Sequence, residues 1–269
     1  MKLYVSVDME GLWGVSTAEQ VKKGNPNYEH ARKLMSDEVN IITDLLFEQG
    51  AETIVINDSH GAMDNILIDR LDPRVTLIHG NDKPRSMMQG LDESFDGAFL
   101  IGYHARAGSE GVLAHTYASR LFQNIEINDK PYGESGLNAF YAGSYNVPII
   151  GASGDDILAS QIKEEIGAIP FNQVKIAHSF ESATHRPKDD MERNYRMMIE
   201  SALKSLDQYK VLSLEGGVRA KITFKNPLHV LKVSNQPDTT QTSGDTVRVN
   251  AMNFETFYTQ LLTFMDIIK

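Results

Sequence analysis

Asp8 and Glu10 in VDMEG, His60 in NDSHG and His104 in GYHA are the residue types that grip a divalent cation. Each of these clusters directly follows a short apolar run. Glu134, in GESGLN, adds a fifth ligand type at an expected helix start. Mixed imidazole and carboxylate donors suit zinc better than magnesium or calcium, which prefer oxygen alone. Five such ligands fit two divalent ions that share one carboxylate, and they leave coordination positions free for water. That is the chemistry of metal-assisted hydrolysis.

Each residue taken alone has a plainer reading. Asp8 and Glu10 can cap backbone amides, His60 can belong to an Asx-type turn after Asp58 and Ser59, and His104 can be a packed core histidine. Glu134 can simply suit a helix N-terminus. Coincidence of all these groups at equivalent strand ends favours a shared site. His115 stands apart, in a loop with Gly108 and Gly111 that can bring it back over the cluster. There it is either a proton shuttle outside the ligand set or a surface loop residue. His30, His79, His178, His185 and His229 lack comparable neighbours and read as structural or exposed. Arg106, Asp155 and Asp156 are weaker candidates.

The elements that must position these groups alternate. Leu3, Val5 and Val7 mark a strand over 2–7 that gives way to an acidic, glycine-containing turn. The same change recurs after strands at 53–56 and 98–101. In open α/β sheets ligands gather outside the carboxyl ends of strands, where loops converge on a rigid frame. Asp8 and Glu10, two apart, project from one side if the backbone stays extended.

Between the strands, Asn27 caps a long helix that stops at Gly50. Short helical pieces are expected near 65–71 and 85–89, a strand at 75–79, and a long loop from Gly102 to Arg120. Further strands are expected at 124–128 and 147–152, with helices opening near Glu134 and Asp155. Beyond Pro170 come strands at 174–178, 220–224, 230–233 and 246–249, a charged helix after Pro187, a surface loop over 234–244 and a last helix from Asn253. The fold class is therefore α/β, a mostly parallel sheet flanked by helices, with a smaller C-terminal α+β region. The expected division is a metal-binding catalytic domain over 1–169 and the C-terminal region over 170–269.

Composition narrows the function. The chain has 269 residues and no cysteine, so thiolate ligands, disulfides and a cysteine nucleophile are excluded. A formal charge of −10 argues against non-specific nucleic-acid binding, which depends on lysine and arginine neutralising phosphates. No apolar stretch approaches the roughly 18 residues of a membrane span. The N-terminus enters a strand without a signal-like segment, so a cytoplasmic location and no membrane partner are expected.

VDMEG, NDSHG, GYHA, the His115–Thr116 pair and GESGLNAF, in that order, resemble the D-aminopeptidase family of binuclear zinc peptidases associated with dipeptide-transport operons. The match covers roughly residues 1–156. It implies Asp8 as the ligand bridging two Zn2+ ions per subunit, with Glu10 and His60 completing one site and His104 and Glu134 the other. His115 becomes the catalytic histidine outside the ligand set. The resemblance also implies short peptides as substrates and a ring-shaped homodecamer whose sites face an internal channel. The expected function is a zinc aminopeptidase that removes the N-terminal residue, D-configured in this family, by a metal-activated water.

Two other readings compete. VSVDMEG followed later by Gly154, Asp155 and Asp156 also resembles a magnesium-dependent haloacid-dehalogenase-type phosphatase, with Asp8 as nucleophile. That chemistry leaves His60 and His104 unexplained and finds Glu10 one methylene too long. A non-catalytic metal or peptide-binding module would hold a closed zinc site, whereas five ligands over two ions leave it open.

Overall fold

In the computed structural model, which describes residues 1–268, the first apolar run folds as β1 (Lys2–Val7). The chain then forms α1 (Ala18–Val21), the long α2 (Pro26–Glu48), β2 (Thr53–Asp58), β3 (Thr76–Ile78) and β4 (Gly97–Ile101). It continues through β5 (Phe122–Ile127), β6 (Lys130–Pro131), α3 (Glu134–Ser144), β7 (Ile149–Asp155), α4 (Asp156–Glu165), β8 (Phe171–Ser179) and β9 (Ser182–His185). The last part holds α5 (Lys188–Lys204), β10 (Val218–Phe224), α6 (Pro227–Val233), β11 (Thr239–Gln241), β12 (Thr246–Ala251) and α7 (Phe254–Ile268).

Seven strands form one sheet in the order β3-β2-β1-β4-β7-β8-β9. It is parallel except where β9 turns back along β8. A second, antiparallel sheet runs β11-β12-β10-β5-β6. The mostly parallel α/β sheet is thus the dominant layer, as the alternating pattern predicts. Both sheets draw strands from either side of Ile169: β8 and β9 extend the parallel sheet, and β5 and β6 join the antiparallel one.

The alternation in β1 decides which core each side chain enters. Leu3, Val5 and Val7 pack with α2 residues such as Met35, Val39 and Ile42 and α5 residues such as Tyr195 and Ile199. Tyr4 faces the opposite core, built with Leu137 and Phe140 of α3, Ile222 of β10 and Phe257 and Leu261 of α7. The sheet is therefore buried on both faces, which is why its strands carry nearly continuous apolar runs.

Local signals explain the departures from expectation. The cap of α2 is Asn25, whose side chain accepts the Asn27 N–H at 3.0 Å, because Pro26 takes the first helical position. Residues 230–233, expected as a strand, belong instead to α6. Asn226 accepts the Leu228 N–H, Pro227 sits at the first turn, and Val230 and Val233 are buried three apart on one helix face. Cap chemistry and burial override the β-propensity of the valines. Within 234–244 a short strand, β11, pairs with β12.

Candidate metal centre

Three strands of the parallel sheet end level with one another. Val7 pairs with Asp58 on one side and with Ile101 on the other, so the segments that follow β1, β2 and β4 leave the sheet side by side. The chain reverses its direction of growth across the sheet at β1, with β2 on one flank and β4 on the other, the place where open α/β sheets build their sites. Two glycines permit the exits to touch. A Cβ on Gly11 would lie 1.8 Å from the Tyr103 carbonyl, and Gly102, at φ +67, would bring one to 2.3 Å from the Asp8 carbonyl. The Gly11 N–H donates to the Gly102 carbonyl at 2.7 Å.

Two ammonium groups, one fully buried and one half-buried, fasten these exits. Lys175, on β8, is fully buried and donates to the carbonyls of Glu10, Leu12 and Val15 at 2.5, 3.1 and 2.6 Å. All three of its protons are thereby used on the loop that carries Glu10. Lys83 does the same for the β2 exit, donating to the Asp58 carbonyl at 2.6 Å and to Asn57 Oδ1 at 2.7 Å. Asp58 itself accepts the N–H groups of Asn65 and Ile66, which closes the loop over His60.

Asp8, Glu10, His60, His104 and Glu134 are all buried and converge. His60 Nδ1 lies 2.8 Å from Glu10 Oε2 and 3.3 Å from Asp8 Oδ1. His104 Nε2 lies 3.3 Å from Asp8 Oδ2 and 3.4 Å from Glu134 Oε1. Asp8 therefore stands between the two histidines, one oxygen toward each. The far nitrogen of each ring is tied to the backbone: His60 Nε2–H donates to the Val21 carbonyl at 2.8 Å, and His104 Nδ1–H to the Ala105 carbonyl at 3.0 Å. Such bonds fix the tautomer and aim the opposite lone pair, as in metal-ligating histidines. Asp8 Oδ2 and His104 Nε2 are buried and have no hydrogen-bond partner despite their proximity. With Nε2 deprotonated the pair becomes two acceptors at that distance, which fit a cation between them, and nitrogen with carboxylate oxygen fits zinc.

The charges lead to the same reading. Burial alone would raise the Asp8 pKa, but the imidazoles of His104 and His60 outweigh it and hold the carboxyl below its ordinary range. Burial likewise opposes ionisation of Glu134, and His104 and His115 reverse it to a net lowering. Burial disfavours the charged forms of His60 and His104, yet Glu10, Glu134 and Asp8 push both well above the usual histidine value. The cluster is a concentration of buried negative charge that draws cations of any kind.

His115 is brought to the same place by its loop. Its ring stacks on His104 with centroids 4.0 Å apart, and its Nε2 lies 3.6 Å from Glu134 Oε1. Nδ1–H donates to the Leu113 carbonyl at 2.9 Å, which leaves Nε2 free to take or give a proton. Leu113 and Tyr117, two positions to either side, both hold φ above +50. Non-glycine residues there are strained, and such strain collects at functional loops. The Tyr117 N–H also donates to Glu134 Oε1 at 2.5 Å. Asp8, Glu10, His60, His115 and Glu134 line a cavity of about 960 Å³.

Known proteins match this chain in sequence and in fold. A sequence profile of the D-aminopeptidase family matches residues 1–263. The chain belongs to the D-aminopeptidase family. A D-aminopeptidase of Bacillus subtilis (strain 168) is 43% identical over 175 residues, a stretch covering 65% of this chain and 64% of that protein. The solved structure of the Zn-dependent D-aminopeptidase DppA from Bacillus subtilis, described as a self-compartmentalizing protease, superposes with a TM-score of 0.95 at 35% identity. It covers 99% of this chain and 97% of that one. Family membership thus extends well past residue 156, where the sequence resemblance ran out.

Against that family frame, all six residues singled out in the sequence come together. The acids of the phosphatase alternative do not join them. Asp155 caps α4 through the Leu158 N–H and accepts the Val112 N–H, both at 2.8 Å, and Asp156 accepts the Ala177 N–H. Both are spent on backbone. Arg106 pairs with Glu165 at 3.1 Å beneath the start of α3. Lys175, Lys83 and the Val21 carbonyl escaped sequence reasoning, because their contacts are long-range and no local pattern marks them.

Proposed function

We propose that this family member is a zinc aminopeptidase that removes the N-terminal residue from short peptides, with D-residues preferred. Asp8, Glu10 and His60 would hold one zinc ion and Asp8, His104 and Glu134 a second. The observation that carries this reading is the pair of histidines anchored to backbone carbonyls with their lone pairs converging on Asp8. Zinc in such a site supplies Lewis acidity, acidifying water towards neutral pH and polarising a peptide carbonyl.

The chain's own residues do the rest. His115, with Nε2 free beside Glu134, passes a proton to the departing amine or steadies the charge that develops on the carbonyl oxygen. The buried carboxylates attract the free α-amino group of a peptide, which restricts cleavage to the first residue. Met63, Met87, Leu113 and Phe180 give the cavity an apolar wall that limits access of water. Homo-oligomerisation, into a decameric ring as the family resemblance implies, accords with the self-compartmentalizing character described for the DppA relative. The test is an assay of matched D- and L-dipeptides, with free and blocked N-termini, on zinc-loaded protein. Turnover confined to free N-termini supports the reading, and preference for blocked ones opposes it.

A further inference from the structure

The lining of the cavity over the metal cluster combines buried acids with exposed cations. Its carboxylates among the described residues are Asp8, Glu10 and Glu134, all at the floor. Its other formally charged lining residues are Lys22, Arg120 and Lys225, all exposed. Three cations at one mouth are unexpected in a chain of net charge −10. Their neighbours are matched: Lys23 pairs with Asp64, and Lys221 with Glu126 at 3.2 Å. Lys22, Arg120 and Lys225 have no carboxylate partner among the described residues.

Two of the three are fixed together. Lys225 follows β10 and Arg120 precedes β5, strands that pair in the antiparallel sheet. The Lys225 N–H donates to the Leu121 carbonyl at 2.8 Å, and its Nζ to the Ser119 carbonyl at 2.7 Å, so the backbone on both sides of Arg120 is clamped. The ammonium keeps two protons free, and the Arg120 guanidinium keeps its whole planar fork. Lys22 is placed differently, next to Val21, whose carbonyl anchors His60.

We infer that Arg120 and Lys225 form a subsite for the C-terminal carboxylate of a di- or tripeptide. The inference rests on the peptidase reading and deepens it. A short peptide is a zwitterion, and this cavity offers buried acids together with exposed cations that flank two paired strands. A guanidinium fork and an ammonium are each suited to a carboxylate. Peptides too long to place both termini, or blocked at the C-terminus, lose that contact.

The test compares a small apolar D,D-dipeptide with its C-terminal amide on zinc-loaded enzyme. The wild type should favour the free acid by roughly tenfold or more in kcat/KM, the yield of a charge-assisted hydrogen bond. Arg120→Gln combined with Lys225→Gln should bring that ratio close to one, mainly through KM, while Lys22→Gln retains it. Zinc content of the same preparations reports that the variants are folded. Equal kcat/KM for acid and amide in the wild type would overturn the subsite and leave the peptidase standing, as would a ratio that survives the double change. Absence of hydrolysis of either compound would instead remove the peptidase reading and the subsite with it.

Discussion

The side chains of the cluster divide into those that hold charge and one that, in the function proposed above, moves a proton. His115 alone has a ring nitrogen facing the cavity floor without sitting between two acids. His115→Ala should lower kcat by about a hundredfold or more, with zinc content near that of the parent. Steady-state kinetics with metal analysis on one sample decides it, since loss of zinc would place His115 among the ligands. His60 and His104 are held well above the ordinary histidine value by their acid neighbours, so metal must displace protons from them. Zinc affinity should therefore rise with pH across neutrality, as read by competition with a chromophoric chelator. A pH-independent affinity would contradict that coupling. The convergence of these residues was legible in the sequence, because imidazoles and acids after strand ends have few reasons to recur. Which nitrogen each ring presents was not, because the Val21 and Ala105 carbonyls that decide it carry no sequence signature.

At the scale of elements, the site depends on strand exits held open by buried polar groups. Lys175→Met would leave the carbonyls of Glu10, Leu12 and Val15 unpaired in the core, at a cost of about 3 kcal/mol or more. Thermal denaturation should show the loss, and zinc retention should fall with it because the Glu10 loop is released. Beside that loop, Glu38 of α2 accepts the Trp13 N–H at 3.0 Å and the Tyr195 hydroxyl. Burial, only partly offset by these two bonds, pushes its carboxyl up to about 7. A raised carboxyl binds its proton more tightly folded than unfolded. Its contribution is complete below the unfolded value and disappears as pH climbs through about 7. Glu38→Gln should remove that fall, worth about 3 kcal/mol, from the stability profile measured between acid and neutral pH. A parent and variant with parallel profiles would refute it. Element types were readable wherever period and caps agreed, as in β1 and α2. They failed at Val230 and Val233, where Asn226 and Pro227 start a helix that valine propensity alone disfavours.

For the whole molecule, two sheets share one chain without respecting the sequence boundary near Ile169, and the cavity over the cluster draws on both. Asp8 and His60 come from the parallel sheet's edge, whereas Lys225 and Asn226 follow β10 of the antiparallel sheet. Sedimentation should give a closed assembly many times the 30.0 kDa chain mass. A monomer at micromolar concentration would oppose that. Assembly could not be read from composition, since single exposed apolar residues are normal on any surface. The claim beneath all of this is that the five converging ligands hold a pair of zinc ions. Elemental analysis of protein purified without chelator tests it most directly. Two zinc ions per chain, falling in His104→Ala, is the expected result, and protein that hydrolyses peptides without stoichiometric metal would contradict it.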